Sequence, residues 1–188
     1  MTTVFLETHR LLLRRFTMAD VDNLVELDGD PEVMRFTNGG KPISHDEIQN
    51  EILPWFLHYY ERFAGYGFWA AIEKATGEFV GWFHFRPDDN AGPHEPELGY
   101  RLRRSAWGKG FATEGSRALI QKGFTEFEVQ RVVATTMTVN VASRRVMEKA
   151  GLKFVRTFFQ DWPEVIEGAE EGDVEYALNR AEWEQRNS

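Results

Sequence analysis

Short apolar runs and apolar residues at helical spacing divide the chain into a regular succession of predicted elements. Runs of about four to eight residues that are rich in β-branched and aromatic side chains and bounded by turn residues are typical of β-strands. Two of them, GFWAAIE and EFVGWFHF, flank the turn KATG and predict an antiparallel hairpin. The predicted strands cover residues 10–16, 67–73, 78–85, 97–104, 130–139, 152–159 and 173–179.

Capping residues mark the ends of the predicted helices. Ser44 followed by Glu47 has the capping-box spacing, and Pro54 lies inside the helix that follows, where we expect a break or a kink. Asn140 is suited to the N-cap of a later helix, and Gly151 lies where a left-handed C-cap belongs. The predicted helices cover residues 18–27, the segment after 44, a segment that ends near 127, and the residues from 140 to 149.

The order of these elements, β-α-α-β-β-β-α-β-α-β-β, predicts a fold of the α+β class (mixed α/β). We expect a central mixed, mostly antiparallel sheet of about seven strands flanked by about four helices. The length of 188 residues suits a single domain over residues 1–188. The segments RPDDNAGPHEP (86–96) and WPEVIEGAEEGD (162–173) are predicted to be loops, the second of them solvated and mobile.

Composition narrows the chemistry that is open to the chain. There are no cysteines, which excludes disulfides, thiolate metal sites and a cysteinyl covalent intermediate. A formal net charge of −8 opposes binding to nucleic acids and to anionic membranes. The first residues, MTTVFLETHR, do not resemble a secretory leader, and no apolar run is long enough to cross a bilayer. We therefore expect a cytoplasmic protein without a nucleic-acid or membrane partner.

A glycine-rich loop precedes the third predicted helix, in RRSAWGKGFATEGSRALI (103–120). Small residues let the backbone approach a phosphate, and the N–H groups at the start of a helix point toward it. The spacing of the Walker loop is absent, both here and in GGKP at 39–42. The dinucleotide fingerprint G-x-G-x-x-G would need a glycine at Thr113, so that interpretation is weak. A helix cap with two turn glycines and no ligand is the alternative.

Two segments, ELGYRLRRSAWGKGFATEGSRAL (97–119) and VNVASRRVMEKAGLKF (139–154), resemble the acetyl-CoA loop and the following strand and helix of the GNAT N-acetyltransferases. THRLLLRRFTMADVDNLVELDGDPEVMRF (8–36) and DVEYAL (173–178) resemble the branch that contains the ribosomal-protein N-terminal acetyltransferases. The resemblance covers nearly the whole chain. It implies acetyl-CoA as the cosubstrate, no metal, and transfer of an acetyl group to an amine.

The resemblance also implies which residues hold the coenzyme. The family pattern R/Q-x-x-G-x-G/A falls on Trp107, Gly110 and Ala112, and only Trp107 departs from it. Backbone N–H groups of the loop would bind the diphosphate, and nearby cationic side chains would add positive charge. A V-shaped splay between strands 97–104 and 130–139 would receive the pantetheine arm, and Leu102 and Arg103 would supply the backbone that pairs with it. The expected coenzyme-binding residues are Leu102, Arg103, Arg104, Trp107, Gly108, Lys109, Gly110, Phe111, Ala112, Thr113, Asn140 and Ser143.

Catalysis of thioester aminolysis needs a proton acceptor for the amine and a donor near the departing sulfur. The resemblance places the base at Glu97, acting directly or through a water, although a strand-start carboxylate can equally make an ion pair. His84 and His94 are rival bases, because the ordinary pKa of histidine suits neutral pH. Ser143, in the motif N-x-x-S, lies where the resemblance places a stabiliser of the sulfur. A backbone N–H of the splayed strand, not identifiable from the sequence, would polarise the carbonyl.

The acceptor is the least defined part of the prediction. Asp161 and Trp162, interpreted as part of a late strand, are weaker candidates for contact with it, and aromatic residues could line its pocket: Trp55, Phe68, Trp69 and Trp82. The acidic chain suits a peptide N-terminus, a polyamine or an aminoglycoside equally. A homodimer is possible. The competing hypotheses are a non-catalytic CoA-binding sensor or subunit and a dinucleotide-binding enzyme.

Overall fold

The computed structural model describes residues 3–87, 92–163 and 166–187, and its centre is a single eight-stranded sheet. The strands lie in the order β1-β2-β3-β4-β5-β6-β8-β7. All neighbours run antiparallel except β5 and β6, which run parallel. The strands are β1 (Val4–Glu7), β2 (Leu11–Arg15), β3 (Gly67–Glu73), β4 (Phe79–Pro87), β5 (Pro96–Leu102), β6 (Arg131–Met137), β7 (Lys153–Phe158) and β8 (Asp173–Asn179).

Helices cover both faces of this sheet, and the class and mixed pairing that we predicted are confirmed. Helices α5 and α6 pack on one face, and the helices between β2 and β3 pack on the other. The helices are α1 (Val21–Asp28), α2 (Pro31–Asn38), α3 (His45–Glu47), α4 (Leu53–Arg62), α5 (Phe111–Glu126), α6 (Val141–Ala150) and α7 (Arg180–Asn187), with a π-helical turn at Ile48–Ile52.

Three elements were not predicted from the sequence: β1, α2 and α7. The tripeptide GDP (29–31) follows α1, whose C-cap is Gly29, and it also starts α2. Pro31 occupies the first turn, and the Asp30 carboxylate accepts a hydrogen bond from the Glu32 N–H at 3.0 Å. Helix α7 has no buried residue, so its sequence lacks the apolar stripe that would predict a helix.

The helix around Pro54 stays continuous instead of breaking. Ser44 caps its start as predicted, with the Ser44 hydroxyl accepting from the Glu47 N–H at 3.2 Å. The π-helical turn lies directly before the proline and widens the backbone where its ring and missing N–H would disturb an ordinary turn. The expected local irregularity is therefore present without a break in the helix.

Aromatic rings from the central strands fill the interior on the side of α5. Phe83 packs against Gly115 of this helix and Phe85 against Gly123, where a Cβ atom would lie 2.3 and 2.6 Å from the rings. Because both positions are glycine, the helix approaches the sheet closely. This contact fixes α5, and with it the glycine-rich loop at its N-terminus, relative to β4 and β5.

The predicted loops are only partly as expected. Of RPDDNAGPHEP, residues 88–91 lie outside the described residues. The segment 162–173, whose residues 164 and 165 also lie outside them, is not wholly solvated, because Ile166 is buried and a short 3-10 helix forms at Ala169–Glu171. Its mobility stays a prediction. Within the described parts of the chain, no helix has the length and apolar character needed to span a membrane.

Gly151 ends α6 as the sequence predicts, with a left-handed φ of 103°. We expect Gly151→Ala to lower the free energy of unfolding by about 1–2 kcal/mol, since an L-residue is strained in this region. Denaturant unfolding measures the change. Gly92→Ala is the matched control, because φ of Gly92 is not positive and a Cβ atom added there would meet no described atom within 4 Å. Equal stability of the two variants would contradict the cap assignment.

Candidate active site

The sheet is open between β5 and β6. These strands pair at one position among the described residues, Glu97 opposite Val133, although both continue for several residues beyond it. The V-shaped splay that the family resemblance implied is therefore present. The opening leads from this pair toward the C-terminal ends of both strands, where the glycine-rich loop begins after β5.

The backbone of β5 shows which groups face this opening. The Arg103 N–H donates to the Val80 carbonyl at 2.9 Å, so Arg103 turns its backbone toward β4. In an antiparallel ladder, alternate residues turn their backbone N–H and C=O groups toward the same neighbouring strand. Because Arg103 bonds to β4, the backbone N–H and C=O groups of Tyr100 and Leu102 point the other way, toward β6. The prediction that Arg103 lends its backbone to the pantetheine arm is wrong for this reason. The backbone groups of β5 that face the opening are those of Tyr100 and Leu102.

Trp107, the residue that departs from the family pattern, ties the loop to the strand before it. Its indole N–H donates to the Leu102 carbonyl at 2.8 Å, while its side chain stays half exposed. The Leu102 carbonyl is thus occupied from within the chain, and the Leu102 N–H remains directed into the opening. Trp107 fixes the start of the loop.

The loop itself has the geometry of an anion-binding turn. Gly108 and Gly110 adopt left-handed φ values of 73° and 81°, and a Cβ atom on Gly108 would meet nothing within 4 Å. In the described part of the chain, no acceptor takes the backbone N–H groups of residues 108–113. Phe111 is buried and anchors the start of α5. The partly buried Ala112 and Thr113 complete its first turn, and these free donors suit a diphosphate.

Two of the three cationic side chains beside the loop, those of Arg103 and Arg104, are already paired. Arg103 binds Glu26 at 2.8 Å, and Arg104 contacts Asp30 at 3.2 Å while staying largely exposed. Both arginines turn toward α1 and the segment after it. Lys109 is exposed and offers its carbonyl to Arg10 at 2.8 Å. The positive charge expected at the diphosphate is therefore partly neutralised by carboxylates of the chain.

Glu97 lies at the closed end of the opening and is about a quarter exposed. Thr135 of β6 donates its hydroxyl to Glu97 Oε1 at 3.1 Å. The Arg86 guanidinium is 3.4 Å from Glu97 Oε2, and His84 Nε2 is 3.6 Å from the same oxygen. The ion pair weighed as the alternative to a catalytic role is thus formed, at a long distance. Arg86 and Thr135 were not anticipated from the sequence.

The two rival histidines lie in different surroundings. His84 packs over Gly99, where a Cβ would be 2.4 Å from Nε2, and burial lowers its pKa well below the ordinary value, helped by the charges of Arg86 and Arg101. His84 is therefore neutral and a weak base. His94 is exposed, and its Nδ1 lies 2.9 Å from the Glu128 carbonyl, away from the opening.

Ser143 meets a tyrosine that the sequence reasoning missed. The hydroxyl of Tyr100 lies 3.0 Å from both the Ser143 Oγ and the Ser143 carbonyl, and burial raises the pKa of Tyr100 to about 12. Asn140 caps α6 by accepting from the Ser143 N–H at 3.2 Å and donates to Thr136. Strand alternation could have indicated Tyr100, since it is the residue of β5 that faces α6 between Leu98 and Leu102.

Asp161 and Trp162 follow β7 in a segment without regular structure, so their assignment to a strand is wrong. Trp162 hydrogen-bonds Asp173, whose carboxyl pKa is raised by burial. Over residues 3–87, 92–163 and 166–187, no group of three or more His, Cys, Asp or Glu side chains forms a metal site.

Comparison with known proteins identifies the family of this chain. The family model described as "Acetyltransferase (GNAT) domain" matches residues 10–153. The FsC-acetyl coenzyme A-N(2)-transacetylase of Aspergillus fumigatus is 36% identical over 176 residues, which cover 90% of this chain and 71% of that protein.

Solved structures show the same fold. A GNAT-family acetyltransferase from Bacillus anthracis superposes with a TM-score of 0.74 at 25% identity, covering 96% of this chain and 99% of that one. A ribosomal L7/L12 alpha-N-protein acetyltransferase in complex with coenzyme A has a TM-score of 0.77 at 20% identity and covers 94% of this chain and 98% of that one. This second likeness bears on the fold alone. The chain belongs to the GNAT acetyltransferase family and is an acetyl-CoA-dependent N-acetyltransferase.

Proposed function

We propose that the chain moves the acetyl group directly from acetyl-CoA to a primary amine while both are bound, within the opening between β5 and β6. One observation carries this proposal. Glu97 and the Tyr100–Ser143 pair lie on opposite faces of the sheet, because side chains alternate along β5, and the opening connects the two faces. A base and a sulfur-side donor can thus act on one tetrahedral centre from opposite sides.

The coenzyme enters from the side of α5. Its diphosphate takes the free N–H groups of residues 108–113 at the helix N-terminus, where the helix dipole favours an anion. The two amides of the pantetheine arm pair with the backbone of Tyr100 and Leu102 as an added strand would. Asn140 lies beside this path and retains one amide hydrogen for it.

The reaction then divides among three groups. Glu97 takes the proton of the attacking amine, the new C–N bond forms, and the C–S bond breaks. The N–H of Tyr100 polarises the thioester carbonyl, and the Ser143 hydroxyl donates a hydrogen bond to the departing thiolate. A lysine-like amine costs roughly 4.6 kcal/mol to hold neutral at pH 7, against roughly 1.4 kcal/mol for an α-amine, so Glu97 matters most for the former.

The acceptor approaches on the face of the sheet that carries Glu97. Of the aromatic residues considered for its pocket, Phe68, Trp69 and Trp82 are buried in the core, whereas Trp55 is 46% exposed. Arg86 links Trp55 to the site, since its guanidinium lies 5.6 Å from that ring and 3.4 Å from Glu97. Trp55 is therefore the aromatic residue that an acceptor can reach.

We expect Trp55→Ala to raise the KM of the amine about five- to tenfold, because roughly 1–1.4 kcal/mol of stacking and burial is lost. The KM of acetyl-CoA and the thermal stability should change little, since the side chain is half exposed. Steady-state kinetics with each substrate varied in turn measures both constants. Trp107→Ala, with a similarly exposed ring near the loop, is the control that should raise the KM of acetyl-CoA instead. The reverse pattern would contradict the assignment of the acceptor side.

The cellular setting belongs to the same proposal. The net charge of −8 and the missing cysteines support a cytoplasmic enzyme whose partners are acetyl-CoA and an amine, without nucleic acid or membrane. A homodimer is the assembly we would test for, because β7, one of the two edge strands of the sheet, exposes the apolar side chains of Phe154 and Val155.

Thiol release from acetyl-CoA tests the proposal. The purified chain is incubated with acetyl-CoA and a panel of peptide N-termini, polyamines and aminoglycosides, and the free thiol is measured together with the mass of the acetylated amine. We expect release that depends on at least one amine class and equals the acetylated product. Coenzyme binding in a titration without thiol release for any amine would instead indicate a binding module.

A further inference from the structure

The turn between β1 and β2 binds the carboxylate of Glu114, which lies beside the glycine-rich loop and about a hundred residues later in the chain. Glu114 lies in the first turn of α5. Its Oε1 accepts from the Thr8 hydroxyl at 2.6 Å and from the Arg10 backbone N–H at 2.8 Å, and its Oε2 accepts from Arg10 Nε at 2.7 Å. Both oxygens of Glu114 are thereby engaged by two residues about a hundred positions earlier in the chain.

Arg10 also contacts the loop directly. Its Nη1 donates to the Lys109 carbonyl at 2.8 Å, and its guanidinium lies 4.6 Å over the Phe111 ring. One side chain thus joins the loop backbone, the helix carboxylate and the buried ring that begins α5. The segment THR (8–10) begins the stretch 8–36, which resembles the branch that contains the ribosomal-protein N-terminal acetyltransferases. The proposed chemistry gives this segment no role.

These contacts have two consequences for an anion at the loop. In a planar trans peptide the carbonyl and the next N–H point in opposite directions, so holding the Lys109 carbonyl turns the Gly110 N–H away from Arg10 and toward the free side of the loop. The second consequence is electrostatic. Burial alone would raise the pKa of Glu114, but hydrogen bonds from Thr8 and Arg10 and the Arg10 charge outweigh it, so the pKa is lowered.

We propose that Arg10 is a positioning residue of the coenzyme site: it orients the Gly110 N–H and neutralises Glu114, so that the helix N-terminus can accept a diphosphate. The inference rests on the proposed function, because it assigns the diphosphate of acetyl-CoA to this loop. An ionised Glu114 without a counter-charge would repel that diphosphate within the first turn of the helix. Arg10 acts through the loop and the carboxylate and need not touch the coenzyme.

The test compares two acetyl donors, acetyl-CoA and S-acetylpantetheine, which lacks the diphosphate. We expect Arg10→Met to raise the KM of acetyl-CoA and the Kd of CoA about tenfold, as for loss of a charge-assisted contact, with kcat at saturation nearly unchanged. The kcat/KM with S-acetylpantetheine should stay within about twofold of the wild-type value. Adding Glu114→Gln to Arg10→Met should recover part of the affinity, because the uncompensated carboxylate is then gone.

Arg117→Met is the matched control, since Arg117, like Arg10, donates from its guanidinium to a backbone carbonyl. Arg117 lies in α5, and its acceptor is the Lys149 carbonyl, away from the loop. It should leave both donors unaffected. Two results would overturn the proposal. An equal loss of kcat/KM with both donors for Arg10→Met would show a general structural effect, and an unchanged Kd for CoA would show that Arg10 does not influence coenzyme binding. Titration with CoA reports on Arg10 even if the wild-type chain transfers no acetyl group, so failure of the proposed function is seen separately.

Discussion

Replacement of Glu97 by glutamine is expected to lower kcat about 100- to 1000-fold for a lysine-like amine, with the KM of acetyl-CoA nearly unchanged. General bases contribute rate enhancements of this size, and the amide cannot accept the proton of the amine. The substitution keeps the size of the side chain and an oxygen that Thr135 can still reach across the opening. Steady-state kinetics at saturating acetyl-CoA measures the effect.

Two dependences distinguish a lost base from a disturbed site. The defect should shrink for a less basic α-amine, which is already about one-tenth neutral at pH 7, and it should shrink again as the pH rises toward the pKa of the amine. Glu95→Gln is the control, because Glu95 lies two residues earlier and binds Arg131 outside the opening. It should stay within about twofold of wild type. An equal loss for every amine at every pH would contradict the role of Glu97.

The sequence could predict those parts of the fold that depend on neighbouring residues. Ser44, Asn140 and Gly151 stop or start helices through contacts within a few positions, and all three occupy the predicted caps. Helix α2 was missed because Gly29, which ends one helix, directly precedes Asp30 and Pro31, which begin the next, so a stop signal and a start signal are adjacent. Contacts between neighbouring residues determine these helix ends. Where the end of α1 and the start of α2 are adjacent, the sequence pattern indicated only the end.

The site was harder to predict because its contacts join distant segments. Arg86 and Thr135 reach Glu97 from two different strands, and nothing in their local sequence indicates the register that brings them there. Arg10 meets Glu114 across 104 positions. Family resemblance supplied Glu97 and Ser143 as candidates, and only the paired strands show what surrounds them. The Arg103 error has the same origin, since one residue of register decides which edge of a strand its backbone faces.

The hydroxyl pair on the opposite side of the opening gives the second large expected effect. We expect Ser143→Ala to lower kcat about 10- to 100-fold, the range for losing a hydrogen bond to a charged atom. Tyr100→Phe should cost less, because Tyr100 orients Ser143 through the contact at 3.0 Å and the serine still reaches the sulfur. The double variant should resemble Ser143→Ala alone, since the two hydroxyls act as one unit.

The leaving group decides whether this pair acts at the sulfur. An ordinary thiolate with a pKa near 8.5 benefits from a donor, whereas an aryl thiolate of much lower pKa leaves without one. With acetyl thioesters of such aryl thiols, the kcat of Ser143→Ala should therefore approach the wild-type value. Tyr66→Phe is the control for removal of a buried hydroxyl, because the Tyr66 hydroxyl binds the Pro93 carbonyl away from the opening. A loss that stays the same for every leaving group would place Ser143 in the structure of α6 and not at the departing sulfur.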